Sequence, residues 1–195
     1  MYYSQIKRVL DILFLLFVLP IIIPTSLMVF ILLKLESFNE SVFFIQERLG
    51  KDNKPFKIIK FRTMYSANNS KNDWTKKNDS RITVFGKILR RTRIDEIPQF
   101  FNILKNDMSL IGPRPEQVHL AAQLQKRYAN FSERHKVLPG ITGLAQVEFG
   151  YVGDFDDWKK KLDYDLDYVK RYGLIIDIKV FLKTFIVLIK RLGSR

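Results

Sequence analysis

The sequence contains no cysteine, so disulfide bonds and thiolate metal sites are excluded. His119 and His135 are its only histidines, and no carboxylates at zinc-ligand spacing accompany them, so a structural zinc site is not expected. Acidic residues are also scarce, since 20 Asp and Glu stand against 33 Lys and Arg in 195 residues, a formal charge of +13. This excess favours anionic partners such as phospholipid, nucleotide or nucleic acid, but it does not choose among them.

A long apolar run covers residues 12–33 and contains no charged residue. As a straight helix it would be about 33 Å long, enough to cross the ~30 Å hydrocarbon core of a bilayer. Pro20 and Pro24 oppose a straight helix, because each removes a backbone N–H and leaves a carbonyl without its partner. The hydroxyls of Thr25 and Ser26 can bond to carbonyls in the preceding turn. We therefore expect a helix, a break at Pro24 and a second helix.

Charges on both sides of this run favour a re-entrant hairpin over a simple span. Lys7 and Arg8 precede the run, and Lys34 follows it. A hairpin would keep both basic flanks on the cytoplasmic side, whereas a span would place one of them outside, against the positive-inside tendency. A kinked transmembrane helix is the alternative, since membrane helices tolerate proline. A cleaved signal peptide is not expected, because no Ala-x-Ala-like site follows and the first alanine is Ala67.

The rest of the chain is long enough for one compact domain. We expect a membrane anchor at residues 1–36 and a cytoplasmic domain at residues 37–195. The expected fold class is α+β, with a small, mostly helical domain that contains a β-hairpin. Composition and turn residues predict strands at 41–46 and 56–64 around a turn at 51–55, followed by a polar loop at 68–80. Helical periodicity predicts helices at 84–91, 117–131 and 157–171, and a further helix that begins at Asp95. A tight loop is expected at 139–143.

The last apolar segment, residues 174–192, carries a narrow basic stripe formed by Lys179, Lys183 and Lys190. This pattern suits an amphipathic helix that lies in the headgroup region, with its lysines reaching lipid phosphates. It suits a core helix of the domain equally well. The pattern alone leaves both interpretations open.

Two adjacent carboxylates, Asp95 and Glu96, directly follow a cluster of three arginines at a predicted helix start. Near cations and helix-terminal N–H groups a carboxylate should stay ionised, which suits a nucleophile or a metal ligand better than a general acid. The alternative is structural, because an Asp N-cap followed by Glu in the first turn is a common way to begin a helix.

Two basic motifs are candidates for phosphate binding. Arg114 lies between two prolines that would present its guanidinium to a phosphate. A salt bridge from Arg114 to Asp107 or Glu116 is the alternative. Strand alternation places Lys60 and Arg62 on one face, where they could bind the same anion or simply be solvated.

Ordered motifs along the chain are more specific together than any one of them alone. They are Lys7-Arg8-x-x-Asp11, Gln46-Glu47-Arg48-x-Gly50, Phe56-Lys57-Ile58-x-Lys60-Phe61-x-Thr63-Met64, Asp95-Glu96-x-Pro98-Gln99-x-Phe101-Asn102, Asp107-Met108-Ser109-x-Ile111-Gly112-Pro113-Arg114-Pro115 and Pro139-Gly140-Ile141-Thr142-Gly143-Leu144-Ala145-Gln146. In this set and order, over about residues 7–192, the chain resembles the small monotopic phosphoglycosyl transferases. These bacterial sugar transferases begin surface-glycan assembly on polyprenyl phosphate.

The resemblance implies a re-entrant anchor broken near Pro24, interfacial helices and an active site on the cytoplasmic face of the bacterial inner membrane. It implies that Asp95 attacks the β-phosphate of a UDP-sugar, expels UMP and holds a covalent phosphosugar, which undecaprenyl phosphate then takes. Such a two-step scheme lets the water-soluble donor and the lipid acceptor use the site in turn. Mg²⁺ would screen the phosphate charge from the anionic nucleophile. Membrane phospholipids are expected partners, and nucleic acid is not.

Positions that match the family motifs acquire roles through the same resemblance. Asp95 would be the nucleophile, and Glu96 a metal ligand or a partner that handles protons. Asp95 and Glu96 together would hold Mg²⁺. Lys60, Arg90 and Arg114 would contact substrate phosphate.

The chain departs from the family pattern in two places. Ile23 precedes Pro24 where many members have Ser, so hydroxyl support would come from Thr25 or Ser26 instead. Residues 148–154 read Glu-Phe-Gly-Tyr-Val-Gly-Asp, where many members that use acetamido sugars have a Gly-Arg-Asn-like run. This difference favours UDP-glucose or UDP-galactose as the donor.

A competing function requires no chemistry at all. A noncatalytic, membrane-anchored module could bind anionic lipid or nucleic acid through its positive charge, and it would need neither Asp95 nor Glu96. Nucleic-acid binding usually pairs exposed aromatic residues with basic ones, and the sequence has no RNP-like or zinc-finger pattern.

Overall fold

A computed structural model describes residues 2–65, 79–149 and 155–189, so most of the polar loop expected at 68–80 lies outside the described residues. The fold combines helices with small sheets and is α+β, as predicted. Its helices are α1 (Tyr2–Glu36), α2 (Val84–Thr92), α3 (Phe100–Leu104), α4 (Val118–Arg127), α5 (Leu144–Glu148), α6 (Phe155–Lys170) and α7 (Leu174–Ile189). Its strands are β1 (Phe43–Leu49), β2 (Pro55–Phe61), β3 (Ser109–Ile111) and β4 (Gly140–Thr142), and its 3-10 helices are Lys51–Asn53, Ile94–Gln99 and Phe131–Lys136.

The predicted hairpin is confirmed. Strands β1 and β2 pair antiparallel with Ile45 opposite Ile59, and the 3-10 helix Lys51–Asn53 forms the turn between them. Asp52 and Asn53 adopt positive φ values of 56° and 58°, which short polar residues tolerate better than bulky ones. The helices expected at 84–91 and 157–171 are also confirmed, as α2 and α6.

The tight loop expected at 139–143 is wrong, because this segment contains β4, which pairs in parallel with β3. The two backbones approach very closely at Gly140, where a Cβ atom would lie 2.1 Å from the backbone nitrogen of Gly112. Glycine is therefore required there for close approach to a distant strand rather than for a local turn. This pairing fixes the segment that carries Arg114.

Helix α1 continues through Pro20 and Pro24, so the interruption expected at Pro24 is not seen. The hydroxyl of Thr25 donates to the carbonyl of Ile21 at 2.7 Å, which is the kind of local support predicted for this segment. Within the described residues, α1 is the one helix long and apolar enough to cross a membrane. That α1 re-enters the membrane stays a prediction.

The buried residues of α1 fall at its two ends. Lys7, Asp11 and Leu15 are buried near the start, and Val29 and Leu33 near the end, whereas no residue of 16–28 is buried. Leu15 packs in the cluster of Ile58, Ile103 and Met108, and Leu33 packs beside Phe61 and Leu89. Both ends of α1 therefore contact the same folded domain, while the proline-containing middle stands clear of it.

Helix α7 has both a core face and an uncovered apolar face. Ile176 and Val180 are buried, which confirms the core interpretation for that face. A row of large apolar side chains on the other side is exposed, namely Ile175, Ile178, Leu182, Phe185, Ile186 and Ile189. Of the predicted basic stripe, Lys179 and Lys183 lie 3.5 and 2.6 Å from the carboxylate of Glu148, and Lys190 lies outside the described residues. The interfacial role of the exposed face stays a prediction.

A buried polar cluster joins the start of α1 to α7. The hydroxyl groups of Tyr3 and Tyr168 donate to the carboxylate of Asp177 at 2.6 and 2.7 Å, and the ammonium group of Lys7 forms a buried ion pair with it. The backbone N–H of Leu110 also donates to Asp11 of α1 at 3.3 Å. These contacts fix the anchor helix to the domain.

Candidate active site

The 3-10 helix Ile94–Gln99 carries both candidate carboxylates. Arg93 stands between it and α2 in the left-handed conformation (φ 57°), so the chain turns sharply there. Asp95 and Glu96 fall in the first turn and are only 8% and 7% exposed. The cap position belongs to Arg93, so the explanation of Asp95 as a helix N-cap is wrong, and the α-helix expected from Asp95 begins instead at Phe100 as α3.

Glu96 is the centre of an ion-pair cluster. Its Oε1 atom accepts hydrogen bonds from Lys60 Nζ at 2.8 Å and from Arg114 Nη2 at 2.6 Å. Burial by itself would raise the pKa of Glu96, but the charges of Arg114 and Lys60 outweigh it and hold the pKa well below its usual range. Glu96 is therefore ionised at any physiological pH.

Asp95 lies beside this cluster, and its pKa shifts in the opposite direction to that of Glu96. Burial, followed by the negative charge of Glu96, raises the pKa of Asp95 from 3.8 to about 6. The charges of Lys60, Arg114 and Arg90 oppose this rise but do not cancel it. The sequence predicted that nearby arginines would keep Asp95 ionised, and at neutral pH most of it still is, although burial takes its pKa upward.

Lys60 and Arg114 come to Glu96 from separate parts of the chain. Lys60 extends from β2, and burial lowers its pKa although Glu96 acts in the other direction. Arg114 follows β3, and its side chain is 31% exposed, so it is partly accessible to solvent. The salt bridge of Arg114 is to Glu96, and the alternative of Asp107 or Glu116 as its partner is not borne out.

The other two basic candidates, Arg90 and Arg62, do not bind Glu96 through the hydrogen bonds described for Lys60 and Arg114. Arg90 donates through Nε to the hydroxyl of Thr63 at 2.9 Å, and its charge acts on Asp95. Arg62 turns away from Lys60 to Glu40, at 2.7 Å, and to the carbonyl of Leu33, at 3.1 Å. The backbone N–H of Arg62 still donates to Val42 in the hairpin, but Lys60 pairs with Glu96 and Arg62 with Glu40, so the two cations do not bind the same anion.

Sequence reasoning gave no role to Arg134, which supports the site from behind. Its Nη2 donates to the backbone carbonyl of Arg114 and to Asp165, both at 2.7 Å, and its side chain is 1% exposed. Glu116 and Lys161 form an ion pair in the same buried network. A buried arginine has no signature that distinguishes it from a surface arginine in one sequence, so this contact could not be foreseen.

Asn102 holds the strand that carries Lys60. Its amide nitrogen donates to the carbonyl of Lys57 at 2.7 Å, and its amide oxygen accepts from the N–H of Ile59 at 3.1 Å. The residue is 1% exposed. The motif that contains Asn102 gives it no role by itself, and its reciprocal bonds to one backbone segment explain why an amide suits this position.

An open cleft of about 220 Å³ lies on one side of Glu96. We call it the apolar cleft. It is lined by Thr92, Arg93, Glu96, Ile97, Phe100, Ile141, Thr142, Gln146, Val147, Thr184, Val187 and Leu188. Glu96 therefore stands between this cleft and the two cations that bind it.

The described residues contain no cluster of three or more His, Asp or Glu that would hold a metal ion by themselves. Asp95 and Glu96 are adjacent buried carboxylates, and Glu96 Oε1 already accepts from two cations. A hard cation such as Mg²⁺ commonly takes one or two protein carboxylates and completes its shell with water and substrate phosphate. The donor set fits that mode and does not fit an all-protein metal cage.

Comparison with known proteins connects this site to one family. A sequence profile of the family described as bacterial sugar transferase matches residues 2–191. The chain belongs to the bacterial sugar transferase family. The resemblance drawn from the motifs is therefore confirmed.

Named relatives of this bacterial sugar transferase act on undecaprenyl phosphate. It is 42% identical over 194 residues to a UDP-N-acetylgalactosamine-undecaprenyl-phosphate N-acetylgalactosaminephosphotransferase of Aeromonas hydrophila, covering 99% of this chain and 46% of the relative. It is 40% identical over 185 residues to the UDP-glucose:undecaprenyl-phosphate glucose-1-phosphate transferase of Escherichia coli K12, covering 92% of this chain and 39% of the relative.

The fraction of the relative's own length that this chain covers differs among relatives. The chain spans less than half of the two proteins just named. It spans 94% of an exopolysaccharide production protein of Rhizobium leguminosarum bv. phaseoli, at 37% identity over 189 residues. A chain of this size therefore occurs in the family.

Proposed function

We propose that this protein transfers a sugar-1-phosphate from a UDP-sugar to undecaprenyl phosphate and releases UMP. The observation that carries the proposal is the buried pair of Asp95 and Glu96, in which Glu96 is held by Lys60 and Arg114. Membership of the bacterial sugar transferase family and the names of the relatives support the substrate classes.

Asp95 would act as the nucleophile in two displacements at one phosphorus atom. A carboxylate oxygen bonds to the β-phosphorus of the donor as the bond to the bridging oxygen breaks, and UMP leaves with that oxygen. A phosphate oxygen of undecaprenyl phosphate then attacks the same phosphorus, and the bond to Asp95 breaks. A pKa of about 6 leaves Asp95 largely ionised at neutral pH while it remains more basic than an ordinary carboxylate.

The neighbouring charges would bind phosphate and keep Asp95 in place. Arg114 presents a partly exposed guanidinium beside the carboxylates, and Lys60 adds a buried cation. Together with Arg90, they are the proposed contacts to the donor diphosphate. Glu96 would orient these cations and partly neutralise them, so that they do not bind Asp95 directly.

Asp95 and Glu96 would also hold Mg²⁺, which supplies positive charge against the diphosphate when it is bound. The pair fits this role because two adjacent buried carboxylates repel each other and the repulsion is part of what raises the pKa of Asp95. Chelation should therefore lower activity, and Glu96 should contribute to the metal dependence.

The donor we propose is a hexose nucleotide, UDP-glucose or UDP-galactose. The motif that suggested this choice extends into residues 150–154, which lie outside the described residues. The relatives' names include both glucose and N-acetylgalactosamine. A screen of UDP-glucose, UDP-galactose and UDP-N-acetylgalactosamine, with UMP as the readout, decides the preference.

We propose that α1 dips into the cytoplasmic leaflet of the inner membrane and returns, among membrane phospholipids. Three observations support this topology. Lys7 and Leu33, near opposite ends of α1, are both buried against the domain, the segment between residues 16 and 28 is not buried, and Pro20 and Pro24 lie in that segment. A cysteine introduced near residue 2 should resist a membrane-impermeant thiol reagent applied from the periplasmic side, and labelling there would contradict the hairpin.

The function is tested by mixing the purified protein with each donor, Mg²⁺ and undecaprenyl phosphate and measuring UMP. Asp95→Asn should abolish turnover. Full turnover by this variant would remove Asp95 from the mechanism. Salt-sensitive binding of oligonucleotides without UMP release would favour the noncatalytic alternative, since nucleic acid is not a partner under this proposal.

A further inference from the structure

The apolar cleft beside Glu96 has walls that suit a hydrocarbon better than a nucleotide. Six of its lining side chains are aliphatic or aromatic, namely Ile97, Phe100, Ile141, Val147, Val187 and Leu188. A uridine or a sugar needs hydrogen-bonding groups along its edges, and such groups are few on these walls.

Several polar side chains of the cleft bond within the protein, although the amide oxygen of Gln146 has no hydrogen-bond partner among the described residues. The hydroxyl of Thr184 donates to the carbonyl of Val180 at 2.8 Å, so the 2.9 Å contact between the hydroxyls of Thr142 and Thr184 has Thr142 as its donor. The amide nitrogen of Gln146 donates to the carbonyl of Ile141 at 3.1 Å. The walls therefore present mainly carbon to anything that enters.

Glu96 separates this cleft from the cationic part of the site. Lys60 and Arg114 bind Glu96 Oε1, but neither of them lines the cleft. The positive charge that lines the cleft is that of Arg93, at the same end as Glu96. Lys60 and Arg114 can bind a diphosphate more strongly than the cleft can, because they supply two positive charges. The cleft instead suits a substrate that is mostly apolar.

The cleft also continues onto an uncovered apolar surface. Val187 and Leu188 of α7 line it, and Leu188 is 43% exposed. The neighbouring face of α7 carries the exposed row of apolar side chains described above. A lipid chain could thus pass from that surface into the cleft without crossing a charged region.

We propose that the apolar cleft holds the isoprene units nearest the phosphate of the lipid acceptor, which places that phosphate at the Glu96 end. The proposal rests on the proposed function, because it assigns a place to the acceptor of that reaction. The acceptor phosphate takes the position that UMP vacates, and the prenyl chain extends from it into the cleft, on the side of Glu96 away from Lys60 and Arg114. The prenyl chain packs between Ile97 and Phe100 on one wall of the cleft and Val187 on the other.

The test compares Val187→Asn with Val118→Asn in detergent. Both variants make the same replacement of valine by asparagine, but Val118 lies on α4, is 37% exposed and lies outside the cleft and the exposed row of α7. Two quantities are measured, namely single-turnover UMP release from donor without lipid, and the KM for undecaprenyl phosphate in the full reaction. We expect Val187→Asn to raise the acceptor KM by roughly tenfold or more while UMP release is unchanged. Val118→Asn should leave both near the wild-type values.

Two kinetic outcomes would overturn the proposal. If Val187→Asn slows UMP release without changing the acceptor KM, the cleft serves the donor. If its acceptor KM equals that of the wild type, the prenyl chain binds elsewhere. A wild-type protein that releases no UMP contradicts the proposed function rather than the cleft assignment.

A second measurement does not depend on the variants folding or on turnover. A prenyl phosphate with a diazirine on its first isoprene unit is photolysed with the wild-type protein, and the labelled peptides are identified by mass spectrometry. Label on peptides containing Phe100 or Val187, competed by undecaprenyl phosphate, supports the proposal. Competed label found only on α1 contradicts it.

Discussion

Asp95 and Glu96 are neighbours in one turn of a 3-10 helix, yet their pKa values move in opposite directions. Burial acts on both, but Glu96 receives the hydrogen bonds of Lys60 and Arg114, and Asp95 receives the repulsion of Glu96. One carboxylate is therefore a stabilised ion and the other a destabilised one. This difference allows the two residues to be tested separately.

Asp95→Asn should stabilise the protein at neutral pH. The folded-state pKa is raised from 3.8 to about 6, so ionising Asp95 costs stability, by about 3 kcal/mol at most. The cost is present above pH 6, shrinks as the pH falls towards 4 and is gone once Asp95 is protonated in both states. Thermal unfolding of the variant and the wild type from pH 4 to pH 8 measures the difference. Asp163→Asn, on an exposed part of α6, is the control and should change little.

Glu96→Gln should have the opposite effect on stability. It leaves Lys60 and Arg114 beside a neutral amide, and breaking a buried ion pair by removing one partner typically costs about 3 kcal/mol or more. Unfolding in denaturant at pH 7 measures the loss. Glu133→Gln, which removes the exposed partner of Lys136, should cost under about 1 kcal/mol. Equal stabilities for Glu96→Gln and the wild type would show that the cluster is not formed in solution.

UMP release in a single turnover should depend on the ionisation of Asp95. The nucleophile is the carboxylate, whose pKa is about 6 without metal and would be lowered by the proposed Mg²⁺. The rate should therefore be level above pH 7 and fall at a pH below 6, once Asp95 takes up a proton. A rate that does not fall between pH 7 and pH 4, in a protein that stays folded, would contradict the assignment of Asp95 as an essential base-form nucleophile.

Asp177→Asn should loosen the anchor helix. Asp177 accepts from Tyr3, Lys7 and Tyr168, and its loss removes the ion-pair partner of the buried Lys7 ammonium, at a cost of about 3 kcal/mol. Thermal unfolding in detergent measures this, and limited proteolysis should cut the variant earlier than the wild type. Asp167→Asn removes an exposed ion pair with Arg171 and should behave as wild type.

Local patterns predicted the elements that depend on neighbouring residues. The hairpin follows from alternating apolar residues around a polar turn, and α2 and α6 follow from helical periodicity. The pairing of β3 with β4 could not be predicted, because each strand has three residues and their partners are distant in sequence. Strand pairs this short carry too little periodicity to be identified.

The candidate site was predictable as a set of residues but not as a geometry. Asp95, Glu96, Lys60 and Arg114 were chosen from motifs, and the structure joins them although Lys60 and Arg114 are 36 and 18 positions from Glu96. No pattern in the sequence indicates that Glu96, rather than Asp95, binds both Lys60 and Arg114. That outcome depends on which carboxylate the 3-10 turn directs towards β2.

The most direct test of the mechanism is to trap the covalent intermediate. The wild-type protein is mixed with its UDP-sugar and Mg²⁺ without lipid acceptor, digested rapidly at low temperature and analysed by mass spectrometry. The account predicts a phosphosugar on the peptide that contains Asp95, lost when undecaprenyl phosphate is added and absent in Asp95→Asn. No adduct on the Asp95 peptide, in a preparation that turns over once lipid is supplied, would contradict it.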